Sequence, residues 1–179
     1  MCAIGCGSMK QHFAMFASYN RWANAQLYVA AAALTDEEFV RDVGAFFGSM
    51  RGTLNHILTA DRIWLKRFTG MGDAPTALDA MPYPVLADLR TAREVEDTRI
   101  ITWTGGLTDQ ELGGQFTYFP ITDPSKVVTQ RLMPALGHFF NHQTHHRGQA
   151  HTILTALGKP SLSLDLIYFQ RTDEGKAFA

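Results

Sequence analysis

The sequence has few cysteines, almost no net charge and no long apolar run, and each shortage excludes a class of protein. Cys2 and Cys6 are both at the N-terminus, so disulfide bonds do not hold the fold together. The 16 Lys and Arg residues against 17 Asp and Glu leave no basic surplus for a nucleic-acid backbone. No apolar segment approaches the roughly 18 residues that span a membrane. We therefore expect a cytoplasmic protein with neither nucleic acid nor membrane as partner.

The length of 179 residues suits one domain with a substantial core. Hydrophobic residues make up 46% of the chain, which excludes disorder as its main state. We expect residues 1–8 to be a flexible N-terminal extension and residues 9–179 to form the folded domain.

Apolar residues recur at steps of three and four along four long segments, which predicts helices over residues 9–34, 49–68, 84–104 and 133–157. Ser8 with Gln11, and Thr35 with Glu38, fit capping boxes at helix starts. Gly158 and Pro160 end the last long helix, and a short helix is predicted over residues 163–172. Four long helices with apolar faces indicate an all-α protein, a four-helix bundle.

One part of the chain has the composition of strands rather than helices. Gln115–Ile121 and Lys126–Leu132 are rich in β-branched and aromatic residues, and Asp123-Pro124-Ser125 lies between them as a turn. A small β-hairpin is therefore predicted just before the last long helix.

Histidine is the unusual residue: five of the seven lie between His138 and His151. At about 100° per residue, His142 and His146 lie one turn apart in the middle of the apolar stripe of the last long helix. His138 is at the edge of that stripe, His145 lies further out, and His151 is on the opposite face. The pair His142 and His146 is thus the first candidate for a site.

The second long helix carries a broad apolar arc, which suggests burial on more than one side and a subunit contact. Its polar stripe consists of Arg51, Asn55, Thr59, Arg62 and Lys66. His56 and Asp61 interrupt the arc but point about 140° apart, so they are not expected to serve one site. Asp61 is expected to form a salt bridge, in the core or between subunits.

Inward histidines on two helices allow two interpretations. Three neutral imidazoles can hold a transition metal and leave a coordination position open, as in catalytic zinc sites. Alternatively, each ring is a core residue that bonds a backbone carbonyl or a carboxylate. The spacing alone leaves both open.

Three segments together resemble the DinB family, the DinB/YfiT-like metalloenzymes. They are Tyr19–Asn24, Leu54–Leu58 with Trp64, and Asn141–Gln149, whose His-Arg-Gly-Gln stretch is the most specific part. The resemblance covers roughly residues 9–170. It implies an up-down bundle with a long crossover and a divalent metal, zinc or nickel, held by His56, His142 and His146. His138 and His145 have supporting positions near this motif.

The resemblance also implies a function. Relatives include S-transferases and isomerases that use low-molecular-weight thiols, so we expect a metal-activated thiolate, or water in a hydrolase, to attack a small electrophile. We expect a homodimer and a pocket with Arg, Lys or polar residues beside the metal. The alternative is a non-catalytic bundle dimer that binds metal or a stress-related small molecule.

Overall fold

In the computed structural model, residues 9–179 are described, and the predicted extension over residues 1–8 with the Ser8 cap lies outside them. Four long helices dominate: α1 (Met9–Ala31), α3 (Met50–Thr69), α4 (Leu86–Gly106) and α6 (Leu132–Ala156). The shorter elements are α2 (Asp36–Val40), α5 (Asp109–Leu112), α7 (Leu166–Phe169) and a 3₁₀ turn (Gly175–Phe178). Across residues 9–179, every helix is too short or too polar to cross a membrane. The predicted all-α fold is confirmed.

Capping residues set the helix ends close to the predicted positions. Thr35 and Glu38 form the expected capping box at α2. The Ser49 side chain accepts a hydrogen bond from the Gly52 backbone at the start of α3, and Gly70 in the left-handed conformation ends that helix. The first helix ends at Ala31 rather than Leu34, because the amides of Ala33 and Leu34 bond to carbonyls three positions back. The predicted C-terminal helix shortens to Leu166–Phe169.

The long helices form a bundle with one long crossover, as expected. Helix α1 packs on α4 and α6, and α3 packs on the same two helices, so α1 and α3 are diagonal. The starts of α1 and α6 share an apolar cluster with the ends of α3 and α4. Thus α1 and α6 run one way and α3 and α4 the other. Because α3 and α4 are parallel, residues 70–85 must span the length of the bundle.

This crossover covers the polar stripe of α3. Asn55 exchanges two hydrogen bonds with the backbone of Tyr83, at 2.8 and 3.0 Å. The hydroxyl of Thr59 donates to the Ala80 carbonyl, and both Asn55 and Thr59 are fully buried. Part of the polar stripe of α3 is thus buried within one chain, because it holds the crossover instead of facing water. The predicted subunit contact of this helix stays a prediction.

The predicted hairpin is present as strands β1 (Gln115–Tyr118) and β2 (Val128–Arg131), paired antiparallel with Gln115 opposite Arg131. Its inward side chains pack on the end of α3. The Phe116 ring lies 5.0 Å from that of Phe68, and the Tyr118 ring 5.6 Å from that of Trp64. The hairpin therefore forms one wall beside the α3–α6 groove.

A buried polar network separates two apolar clusters, one at each end of the bundle. Arg93 pairs with Asp61 and, at 3.0 Å, with Asp97. Asp97 accepts a hydrogen bond from Asn24 at 3.0 Å, and Asp61 accepts one from Gln143 at 2.8 Å. Burial raises the pKa of both carboxyl groups against the opposing charge of Arg93. The expected salt bridge of Asp61 is confirmed, and it lies in the core.

Arg147 completes the network from the α6 side. Its guanidinium donates to the side-chain oxygen of Asn20 and, at 3.4 Å, to Gln143. All four long helices thus contribute, and the two arginines balance the two aspartates. Since these side chains join partners on different helices, the network fixes how the helices align.

Removal of one partner from this network should be costly. We expect Arg93→Met to lower the free energy of unfolding by about 3–5 kcal/mol, because Asp61 and Asp97 remain buried without their cation. Arg90→Met removes an exposed i,i+4 pair with Glu94 on the same helix and should cost less than about 1 kcal/mol. Urea unfolding of both variants measures the difference, and equal midpoints would contradict it.

Candidate metal centre

The structure brings His56 of α3 together with His142 and His146 of α6. Nε2 of His56 lies 3.2 Å from Nε2 of His146, which lies 3.1 Å from Nε2 of His142. A ligand atom from each ring lies within 4.8 Å of the others. His56 and His146 are buried, and His142 is half-buried. Three imidazole nitrogens therefore converge on one point in the groove between α3 and α6.

The outer nitrogens of two rings are held by acceptors. Nδ1 of His56 donates to the carbonyl oxygen of Leu78 in the crossover, at 2.9 Å. Nδ1 of His146 donates to Oε1 of Gln149 at 2.7 Å, and the Gln149 amide nitrogen lies 3.3 Å from Nε2 of His145. An acceptor on Nδ1 places the hydrogen there in the neutral ring. Both Nε2 atoms consequently carry a lone pair and no hydrogen.

The contact between His56 and His146 therefore needs a cation. The lone pairs on Nε2 of His56 and Nε2 of His146 face each other at 3.2 Å. An N–H of His142 can donate to only one of them, that of His146. A proton or a metal ion between the rings would relieve this repulsion. Burial lowers the pKa of His56 and of His146, which disfavours the proton.

The pKa of His142 is lowered further, to about 3, first by burial and then by the neighbouring histidines. The three rings are hence neutral at neutral pH, which is the form that binds metals. Their spacing also fits an ion: two nitrogens bound tetrahedrally to zinc at about 2.0–2.1 Å stand about 3.3–3.4 Å apart. This donor set, three imidazoles without a carboxylate or thiolate, suits zinc, nickel, copper or iron.

Phe47 covers one side of the trio. Its ring stacks on His56 with centroids 3.8 Å apart and also contacts His146 at 5.5 Å. The segment that carries it approaches α3 closely, because a Cβ on Gly52 would lie 2.1 Å from the Phe47 carbonyl oxygen. Glycine at position 52 is what allows this approach. Phe47 shields the buried pair of rings from solvent.

The two supporting histidines lie on either side of the trio. The ring of His138 is exposed and lies 5.7 Å from that of His142 and 5.0 Å from that of Trp64. His145 is also exposed and reaches His146 through Gln149. His151 lies apart, where its Nε2 accepts a hydrogen bond from the Leu162 backbone.

Helix α6 buries two stripes rather than one. Gln143 and Arg147 point to the centre of the bundle, whereas His142 and His146 lie beside them toward α3. The placement of the histidines in the middle of the inward face is thus corrected, because the polar network occupies that position. Sequence reasoning also missed Gln149, Phe47 and the Leu78 carbonyl. Of these, only Gln149 is indicated by the sequence, because it follows His146 by three residues and so lies on the same face of the helix.

Comparisons with known proteins identify sequence relatives of this chain. A sequence model of the DinB family matches residues 9–176, nearly the whole chain. Protein DinB of Bacillus subtilis (strain 168) is 26% identical over 165 residues, which covers 89% of this chain and 94% of that protein.

We expect Gln149→Leu to weaken metal binding about 10- to 100-fold, because Gln149 fixes the tautomer and orientation of His146. Gln110→Leu on the exposed surface of α5 is the matched control and should bind metal as the unchanged protein does. Competition with a chromophoric zinc chelator measures both affinities. Equal affinities would show that the Gln149 contact does not support the trio.

The metal-free protein should lose stability in acid. Because the pKa values of the trio are lower in the folded chain than the ordinary 6.5, the unfolded chain binds more protons as the pH falls below about 6.5. The free energy of unfolding should therefore fall between pH 7 and pH 5, and fall less in His142→Gln. Urea unfolding of both proteins at both pH values, after a chelator has removed any metal, tests this. Equal losses of unfolding free energy in the unchanged protein and in His142→Gln would contradict it.

Proposed function

The chain belongs to the DinB family, and from that premise we propose that it is a metal-dependent enzyme of the thiol S-transferase type. His56, His142 and His146 hold one divalent transition metal, zinc or nickel. The observation that carries the metal is the contact at 3.2 Å between two Nε2 atoms that both lack hydrogen. The family resemblance and the chemistry of the donor set support the reaction class.

When bound, a divalent ion on three neutral imidazoles keeps its full charge and favours the thiolate form of a thiol at neutral pH. Leu78 and Gln149 orient the two buried ligand rings before substrate arrives. Phe47 keeps water from the buried side. The half-buried edge at His142 is the side on which a thiol and its electrophile would enter.

In the transfer step, a sulfur lone pair forms a bond to the electrophilic carbon, and the leaving group departs with the electron pair of its own bond. The thiol proton needs an acceptor near the entrance. His138 suits this role, because neighbouring groups screen its ring from part of the solvent, and this partial desolvation and the charge of Arg67 lower its pKa and keep the ring neutral. We place the reaction in the cytoplasm, where small thiols stay reduced.

The alternative is a bundle that binds metal or a small molecule without catalysis, as a homodimer. The small exposure of His56 and His146, 6% and 8%, favours this alternative because it limits access to the centre. The two proposals differ in turnover, not in metal content.

The metal is tested by elemental analysis. We expect one divalent metal per chain, and its loss in the double variant His142→Ala/His146→Ala, together with a lower melting temperature. His12→Ala/His151→Ala removes two histidines outside the trio and should keep the metal. Loss of the Leu162 contact can lower the stability of that control without changing its metal content. No metal in the unchanged protein after reconstitution with zinc or nickel would overturn the proposal.

Turnover separates the enzyme from the binding protein. We expect the metal-loaded protein to accelerate conjugation of free cysteine or glutathione with 1-chloro-2,4-dinitrobenzene, and the His142→Ala/His146→Ala variant to show only the uncatalysed rate. Metal-loaded protein that matches the uncatalysed rate across a panel of small thiols and electrophiles would favour the non-catalytic alternative.

A further inference from the structure

A cavity lies between the end of α3 and the hairpin. It has a volume of about 430 Å³, is open to solvent, and is bordered by the end of α3, the start of the crossover and the hairpin with its turn. Two of its lining side chains are cations, Lys66 and Arg67, and its other lining residues are neutral. The apolar part of the lining includes Ile63, Tyr118, Phe119, Pro120 and Ile121. The cavity thus combines aromatic surface with positive charge.

Arg67 is the unusual residue of this cavity. Its guanidinium lies over the ring of Trp64 at 4.7 Å and over that of Tyr118 at 4.5 Å. It is half-buried, yet no carboxylate or hydrogen-bond acceptor meets it anywhere in residues 9–179. Six other arginines each pair with a carboxylate: Arg21, Arg41, Arg62, Arg90, Arg93 and Arg99.

Two rings hold Arg67 in place without using its N–H groups. Partial burial of an unpaired charge is unfavourable, and it lowers the pKa of Arg67. Stacking on Trp64 and Tyr118 offsets part of this cost and leaves the planar fork of donors available. A carboxylate matches that fork with two parallel hydrogen bonds. A positioned guanidinium beside flat apolar surface is the arrangement that recognises an organic acid.

Aromatic rings connect the cavity to the histidine trio. The ring of Trp64 lies 5.6 Å from that of Tyr118 and 5.0 Å from that of His138, and the ring of His138 lies 5.7 Å from that of His142. A small molecule held at Arg67 can therefore extend along these rings toward the half-buried edge of the trio.

We propose that this cavity binds the carboxylate of a small organic acid, with Arg67 on the carboxylate and the flat apolar part of the acid against Tyr118 and Trp64. The acid is a substrate whose reactive end reaches His142, and this second part rests on the proposed function. Binding of the carboxylate itself does not depend on a metal.

Titration calorimetry with benzoate tests the proposal, and benzamide serves as its uncharged counterpart. We expect benzoate to bind the metal-loaded protein at least about tenfold more tightly than benzamide, because benzamide lacks the charge-assisted hydrogen bonds. Arg67→Gln should reduce the benzoate affinity at least about tenfold. The affinity of Arg67→Lys should lie between those of Arg67→Gln and the unchanged protein, since lysine keeps the charge but lacks the planar pair of N–H donors. Arg171→Gln removes another tyrosine-stacked arginine and should change nothing.

The same titration, repeated after a chelator has removed the metal, separates this proposal from the proposed metal site at the three histidines. Benzoate should still bind the metal-free protein, and Arg67→Gln should keep its metal and its thermal unfolding transition. Benzoate that binds only the metal-loaded protein, with equal affinity in Arg67→Gln, would place the carboxylate at the trio and overturn the proposal. Absence of benzoate binding to the folded, metal-loaded protein would also overturn it.

Discussion

The metal centre depends on one contact, in which two imidazole nitrogens without hydrogens face each other at 3.2 Å. The Leu78 carbonyl fixes one ring and the Gln149 amide fixes the other, so neither ring can rotate away without losing a hydrogen bond. A neutral protein core would not retain such a contact unless something positive occupied it. Burial lowers the pKa of all three rings, which disfavours a proton there at neutral pH, and a metal ion is the occupant that we propose.

The bundle supplies the rigidity that this contact requires. Apolar clusters close its two ends, and the network around Arg93 holds all four long helices between them. Asn20, Asn24 and Arg147, which belong to the segments that carry the family resemblance, are members of this network. Part of the recognisable motif is thus structural: it sets the position of α6 relative to α3, and with it the distance between the histidines.

Much of this architecture was predictable from the sequence, because helix periodicity, caps and the hairpin pattern are local signals. The positions of Thr35, Ser49 and Gly158 identified helix ends within a few residues. The trio was predicted from the one-turn spacing of His142 and His146 and from the resemblance. The polar network displaced these histidines from the centre, and helical spacing does not show which of two buried stripes faces a given neighbour. Phe47 was missed because its role arises from a turn that Gly52 admits against α3.

X-ray absorption at the zinc or nickel edge of the metal-loaded protein shows directly which atoms bind the ion. We expect three imidazole nitrogens at about 2.0–2.1 Å and a remaining position taken by a light atom. Addition of a small thiol should replace that atom by sulfur at about 2.3 Å if the ion is zinc. A coordination shell filled entirely by protein ligands and unchanged by thiol, or a shell with fewer than three imidazoles, would contradict a three-histidine centre that is open to a thiol.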